Sequence, residues 1–145
     1  MDWNAGLVAL LSGLIAQAGK VLWEGLLARH WRPLLFFANG GMPSSHAATV
    51  TTLALLVRRD AGADSPQFSL ALVFGVFVLF EATGLRQEMG KQARLLNELR
   101  RALHAGQKLP GGPLRELVGH TWGEVAGGVV VGVLAYLGLG GLVRR

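Results

Sequence analysis

Long apolar stretches along the chain are separated by shorter polar ones, and this pattern predicts a bundle of helices. The apolar stretches cover roughly residues 5–28, 45–57, 67–85 and 117–143. A helix needs about 20 apolar residues to cross a bilayer, so the first, third and fourth stretches are long enough and the second is short. The second is rich in alanine and threonine, which suits the middle of a bundle, where small residues let backbones approach. We expect an all-α integral membrane bundle of about four transmembrane helices.

A further helix is predicted between the third and fourth apolar stretches, where the pattern becomes amphipathic. In EMGKQARLLNELRRAL, residues 88–103, one stripe is apolar and another carries charged side chains such as Lys91 and Arg94. Such a helix lies in the membrane interface instead of crossing it. Lys91 is either an outer residue of a binding site or part of a solvated helix face that needs no role.

Composition and charge agree with a membrane location. The 145 residues are 51% hydrophobic and only 16% charged, which leaves little polar surface for a water-soluble domain. The net charge of +5 is not laid along a soluble face with interleaved aromatic residues, so we expect phosphate and anionic lipid as partners and no nucleic acid. Cysteine is absent, which excludes disulfides and thiol nucleophiles.

The basic residues also predict an orientation. Most of the 14 lysines and arginines fall in the first and third loops, which the positive-inside rule places in the cytoplasm together with the amphipathic helix. No lysine or arginine precedes the first apolar stretch, so we expect this helix to be retained and not cleaved as a signal.

Chemistry is concentrated at the start of the second helix, in GGMPSSHAATV, residues 40–50. Its glycines allow unusual backbone angles, its proline presets the first turn, and Ser44 or Ser45 caps the helix. The N–H groups and positive dipole end of such a start bind anions. His46 follows about one turn inside. Taken alone, this histidine is equally well one that makes only a local hydrogen bond.

A second histidine opens the last apolar stretch. In LVGHTWGEV, residues 117–125, His120 and Glu124 are four residues apart, and we expect them on one face of the last helix. A carboxylate there holds the imidazole Nδ1–H and makes Nε2 a better base or nucleophile. The alternative is a surface pair with no task, but ionisable groups entering a membrane helix are costly and indicate function. With four spans, both histidines start helices on the same membrane face. Two imidazoles beside an anion site suit phosphoryl transfer.

These blocks, with EATGLRQEMGKQARLLN at residues 81–97, resemble the divergent branch of the type 2 phosphatidic acid phosphatase and vanadium haloperoxidase-related superfamily. The resemblance runs from about Gln17 to the last helix. It implies an α-helical, metal-independent membrane phosphatase that needs no cofactor. In this phosphatase His120 is the nucleophile, Glu124 orients it, and His46 is the general acid.

The resemblance also implies a set of phosphate ligands. Arg86 is the stronger candidate for a guanidinium clamp on phosphate, because arginine binds phosphate in bidentate fashion. Glu81 is expected to orient Arg86 or Lys20, and a role as a cation ligand is the alternative. The candidate phosphate-binding residues are Lys20, Gly41, Ser44, Ser45, Arg86 and Arg115.

We therefore expect residues 1–145 to form a single membrane-embedded domain, a lipid phosphatase that works through a phosphohistidine. Phosphatidylglycerophosphate, phosphatidic acid and prenyl diphosphate all fit as substrates. We expect it in the plasma (inner) membrane of a bacterium, with its site facing the cytoplasm. One alternative is a noncatalytic module that binds or transports lipid phosphates.

The other alternative is a structural membrane protein that dimerises through its glycine-rich last helix. Two small-xxx-small registers, Gly123 with Gly127 and Gly128 with Gly132, run along this helix. Close packing is the favoured interpretation of these glycines. A homodimer would also help to shield a site built from only four spans.

Overall fold

The computed structural model describes residues 4–28, 36, 40–103, 114 and 119–143, without the side chains of residues 28, 85–87 and 102. Within this part of the chain every regular element is helical, so the predicted all-α fold is confirmed. A short 3-10 turn, Gly140–Leu142, follows the last helix. The helices are α1 (Ala5–Ala28), α2 (Ser45–Ala61), α3 (Pro66–Thr83), α4 (Leu85–Leu103) and α5 (Trp122–Leu139).

Three stretches of the described chain are long and apolar enough to cross a membrane, judged by length and composition. They are Ala5–Leu27 in α1, Pro66–Arg101, which contains α3 and most of α4, and Trp122–Leu142, which contains α5. Helix α2 is not among them. The outward faces of these three helices carry large exposed side chains such as Leu26, Leu70 and Leu137. An apolar surface of this extent belongs in contact with lipid. The predicted integral membrane location is therefore confirmed.

The shortest of the predicted spans, α2, lies in the middle of the bundle and packs against α1, α3 and α5. Its small side chains let the neighbouring helices approach closely, and Ala47, Ala48 and Thr52 are completely buried. The Thr52 hydroxyl donates a hydrogen bond of 2.9 Å to the carbonyl of Gly132 in α5, so its polar group is satisfied within the bundle.

The register formed by Gly128 and Gly132 brings α5 against α2. A Cβ at Gly132 would lie 2.7 Å from the carbonyl oxygen of Ala48, and a Cβ at Gly128 would overlap the carbonyl oxygen of Ser44. Only glycine allows this approach of two backbones. The interpretation of this register as a packing surface is confirmed.

The other glycine register does not act as a unit. A Cβ at Gly127 would lie 3.0 Å from the Met42 side chain, so this glycine accommodates the loop before α2. Among the described residues, an added Cβ at Gly123 would find only Thr121 within 4 Å, and Thr121 belongs to the same helix start. Gly123 therefore has no part in the contact between α5 and α2.

The start of α5 differs from the prediction. The helix begins at Trp122 with Thr121 as its N-cap, so His120 precedes the helix and does not lie on its face. The cause is a capping box, in which the Thr121 hydroxyl accepts the Glu124 N–H while the Glu124 carboxylate accepts the Thr121 N–H. Gly119, with φ of 97°, turns the chain immediately before this point.

The predicted amphipathic helix is present as α4, which follows α3 after the single residue Gly84. The leucines of its apolar stripe, Leu96, Leu99 and Leu103, are exposed. A helix with one apolar and one charged face of this kind binds at a membrane interface.

Candidate active site

One end of the bundle collects the polar residues that the sequence singled out. Here the N-terminal ends of α2 and α5 meet the C-terminal end of α3 through two backbone hydrogen bonds. The Ser44 N–H donates to the Glu124 carbonyl at 3.0 Å, and the His120 N–H donates to the Ala82 carbonyl at 2.9 Å. Because these bonds join chain segments far apart in sequence, they fix the relative positions of the two histidine-bearing segments.

His46 and His120 lie in contact at this end of the bundle. Their ring centroids are 5.8 Å apart and the rings are inclined at 64°, edge to face. His120 is only 1% exposed, whereas His46, in the first turn of α2, is partly buried. The structure thus brings together the two imidazoles that the sequence placed on one membrane face.

The Glu124 carboxylate holds the His120 ring in one orientation. Its Oε2 lies 3.0 Å from His120 Nδ1, and the same oxygen accepts the Thr121 N–H at 3.3 Å. A histidine whose Nδ1–H is donated to a carboxylate keeps the lone pair on Nε2, which becomes the nucleophilic nitrogen. The pairing expected from the spacing is therefore made, although it is made across the cap and not along a helix face.

Lys20 brings a positive charge to the same place from α1. The residue is 2% exposed, and the Glu124 carboxylate is the charged side chain that acts on it. Its side chain runs beside Gly41, where an added Cβ would lie 3.4 Å from Lys20 Cδ. Gly41 has φ of 85°, a conformation that favours glycine. A buried ammonium group in such a setting is a strong attractant for an anion.

The start of α2 supplies hydrogen-bond donors. The Ser44 side chain is completely buried, and its oxygen accepts the Ala47 N–H at 3.3 Å, so the hydroxyl proton remains as a donor. The first bond inside the helix runs from Ala48 N–H to the Ser44 carbonyl, so the N–H groups of Ser45 and His46 precede it. This turn has the geometry of an anion-binding helix start.

Two of the predicted residues are exposed. Glu81 is exposed in the last turn of α3, two residues from the helix end. Lys91 forms an ion pair of 2.6 Å with Glu88 on the exposed surface of α4, which agrees with the solvated-face interpretation. Among the described residues, no three His, Asp or Glu side chains are grouped to hold a metal ion.

The two arginines proposed as clamps are described only in part or not at all. Arg86 is in the first turn of α4, but its side chain lies outside the described residues, as does the whole of Arg115. Their contribution to the site stays a prediction from the sequence.

Two features were not predicted from the sequence, namely the capping role of Thr121 and the burial of Asn97. The first had a visible signal, because Thr121 and Glu124 have the spacing of a capping box. The second had none. Asn97 is 3% exposed and binds Leu114, which is 17 residues away in the chain.

Comparison with known proteins assigns the chain to a family. The Divergent PAP2 family matches residues 4–135, a range that includes both histidines, Lys20 and Glu124. The chain belongs to the divergent PAP2 family. A relative in Bacillus subtilis, described as the uncharacterized membrane protein YuiD, is 36% identical over 146 aligned positions, which cover 92% of each chain. No solved structure matches the chain. The predicted membership of the divergent PAP2 family is therefore confirmed, and the histidine cluster lies within the region that defines it.

Proposed function

We propose that the protein is a membrane lipid phosphatase that hydrolyses a phosphomonoester or diphosphate through a phosphohistidine. The observation that carries this proposal is the contact between His46 and His120 at 5.8 Å, with the second ring held by Glu124. A base oriented by a carboxylate, next to a second titratable group and a buried cation, is an arrangement for nucleophilic and acid-base catalysis.

Phosphate binding comes first in this mechanism. The Lys20 ammonium group and the Ser44 hydroxyl are proposed to hold the phosphate oxygens, together with the N–H groups at the start of α2. The dipole of α2 points its positive end at the same spot. Arg86 is proposed to add a bidentate guanidinium contact, on the strength of its position in the sequence.

The transfer step uses both histidines. His120 Nε2 attacks phosphorus, the ester P–O bond breaks, and His46 gives its proton to the departing oxygen. Glu124 stabilises the positive charge that forms on the His120 ring. In the second step His46 removes a proton from water, the water oxygen attacks phosphorus, and the P–N bond breaks to release inorganic phosphate and restore both rings.

A lipid substrate is supported by the surroundings of the cluster. Phe80 and Trp122 form an edge-to-face pair at 6.3 Å, and both are exposed. Trp122 is the second residue after His120. Since tryptophan concentrates at membrane–water interfaces, the cluster is proposed to lie at the depth of lipid head groups. The basic first and third loops favour the cytoplasmic leaflet of a bacterial plasma membrane.

The direct test is phosphate release by the purified protein in lipid nanodiscs. Phosphatidylglycerophosphate, phosphatidic acid and a prenyl diphosphate would be supplied separately, and we expect release from at least one of them without added metal. Acid-labile label on the protein after a short incubation with ³²P-labelled substrate would identify the phosphohistidine. Binding of a lipid phosphate without any release would favour the noncatalytic binding module instead.

The role of His46 predicts a dependence on the leaving group. Replacing His46 with alanine should lower phosphate release from a lipid by about 10² to 10⁴-fold, because an alkoxide departs poorly without a proton. Release from p-nitrophenyl phosphate should fall far less, since nitrophenolate needs no protonation. The comparison of kcat/KM for the two substrates measures this. An equal loss on both would show that His46 is not the general acid.

Lys20 predicts an effect on substrate binding. The variant Lys20→Met should raise KM for the lipid phosphate and weaken inhibition by vanadate by about 10- to 100-fold, the contribution of a charge-assisted hydrogen bond. The bundle should stay folded, because replacing a buried charge by an apolar side chain of similar size removes its desolvation cost.

The matched control for this variant is Lys91→Met, which removes a lysine from the exposed ion pair on α4. This control should leave KM and vanadate inhibition unchanged. If Lys20→Met behaves in the same way as the control, Lys20 does not bind the phosphate.

A further inference from the structure

Asn97 is a buried polar residue on an otherwise exposed stretch of α4. It is 3% exposed, although its neighbours Leu96 and Leu99 are both exposed. Its side chain makes two hydrogen bonds with the backbone of Leu114, one from Nδ2 to the carbonyl and one from the N–H to Oδ1, each 2.9 Å long. A single carboxamide thus satisfies both polar groups of one backbone residue.

The chemistry of this contact is specific to an amide. A carboxylate accepts from the Leu114 N–H but has no proton for the carbonyl, and an aliphatic side chain does neither. Asparagine is also a poorer helix former than the leucines and arginines around it. Its presence in the middle of α4 is therefore explained by the contact and not by the helix.

The contact lies on the path to the proposed nucleophile. Leu114 is six residues before His120, and the His120 N–H in turn donates to the Ala82 carbonyl at the end of α3. Helix α4 follows α3 after one residue. Two contacts therefore hold together the ends of the connection between Ala82 and His120. The first is the bond between Ala82 and His120, and the second is the amide clamp on α4. An anchor at Leu114 shortens the length of chain between His120 and the fixed point before it, and a shorter connection costs less entropy to close.

We propose that Asn97 is a positioning residue for His120. By holding Leu114 on α4, it anchors the chain at a point six residues before His120, and this anchor helps to keep the His120 ring in position. The kinetic part of this inference rests on the proposed function, whereas the clamp itself does not. Small displacements of a reacting group cost large factors in rate.

The test compares Asn97→Ala and Asn97→Asp with the control Gln92→Ala, which changes an exposed residue of the same helix. In nanodiscs, amide hydrogen exchange of peptides containing Leu114 should rise about tenfold in both Asn97 variants and stay unchanged in the control. Exchange in α1, α2 and α5 should not change. The aspartate variant keeps one of the two bonds, so it reports on the clamp even if the alanine variant folds poorly.

The kinetic measurement separates positioning from simple stability. We expect kcat to fall about 10- to 100-fold in the Asn97 variants while KM changes less than about threefold, because the nucleophile is displaced and the phosphate ligands are not. Faster exchange at Leu114 with unchanged kcat would overturn the positioning role. Unchanged exchange would overturn the clamp.

If the wild-type protein releases no phosphate, the proposed function fails, and the positioning role is decided by a signal that needs no activity. The ¹⁵N chemical shifts of the His120 ring report its contact with Glu124. These shifts should move in Asn97→Ala and Asn97→Asp and stay constant in Gln92→Ala. Identical shifts in all variants would show that Asn97 does not position the ring.

Discussion

Replacing His120 with alanine is expected to abolish phosphate release from every lipid that the wild-type protein hydrolyses, a loss of at least about 10³-fold in kcat. In the proposed mechanism Nε2 of this ring forms the bond to phosphorus, while Glu124 holds the ring through Nδ1. The acid-labile label on the protein should disappear together with the activity. Phosphate release and protein labelling, measured on the same preparation, check the prediction.

Two carboxylate variants calibrate this result. Glu124→Gln keeps the size of the side chain but removes the charge that stabilises the His120 ring, so it should lose activity to a smaller extent than the histidine variant. Glu88→Gln removes an exposed carboxylate on α4 and should have no effect. Full activity of His120→Ala on any lipid phosphate would disprove the phosphohistidine mechanism for this protein.

The second large effect is expected from a single methyl group at Gly128. A Cβ at this position would overlap the Ser44 carbonyl oxygen and lie 2.8 Å from the Ala47 side chain. Backbone on both sides must move, so Gly128→Ala should destabilise the bundle by about 1–3 kcal/mol. Because Ser44 caps α2 and also binds the Glu124 carbonyl, the shift reaches the histidine pair. The midpoint temperature of thermal unfolding in detergent should fall. The rate of phosphate release should fall more than tenfold.

Gly138→Ala is the matched control, since a Cβ there would meet nothing within 4 Å. It should leave stability unchanged or raise it by up to about 1 kcal/mol, the difference in helix propensity. Equal behaviour of the two variants would mean that α5 does not approach α2 as closely as described. A change in oligomeric state of Gly128→Ala alone would instead favour a dimer through this helix. The contact with α2 argues against that dimer, because it already occupies the face of α5 that carries Gly128 and Gly132.

Much of the fold follows from local pattern, because the length of an apolar stretch and the size of its side chains decide where a helix lies in a membrane protein. The alanines and threonines of α2 predicted a central helix, and α2 lies there. A count of four spans placed His46 and His120 on one membrane face, and their rings are in contact in the structure. These features depend on composition and on the number of crossings, both of which a sequence contains.

The features that the sequence did not reveal depend on partners distant in the chain or on competition between local signals. His120 was expected on a helix face, but the capping box of Thr121 started α5 two residues after it. The burial of Asn97 was not predicted, because its partner Leu114 is recognisable only after the chain has folded back.

Glu124 links the first turn of α5 to the His120 ring. One carboxylate oxygen serves both the Thr121 N–H and the His120 ring, while the backbone carbonyl of the same residue accepts the Ser44 N–H. Fraying of the first turn of α5 would therefore release the imidazole and loosen the start of α2 in one event. The proposed phosphatase activity would then be lost through the opening of a single helical turn, while the transmembrane helices stay folded.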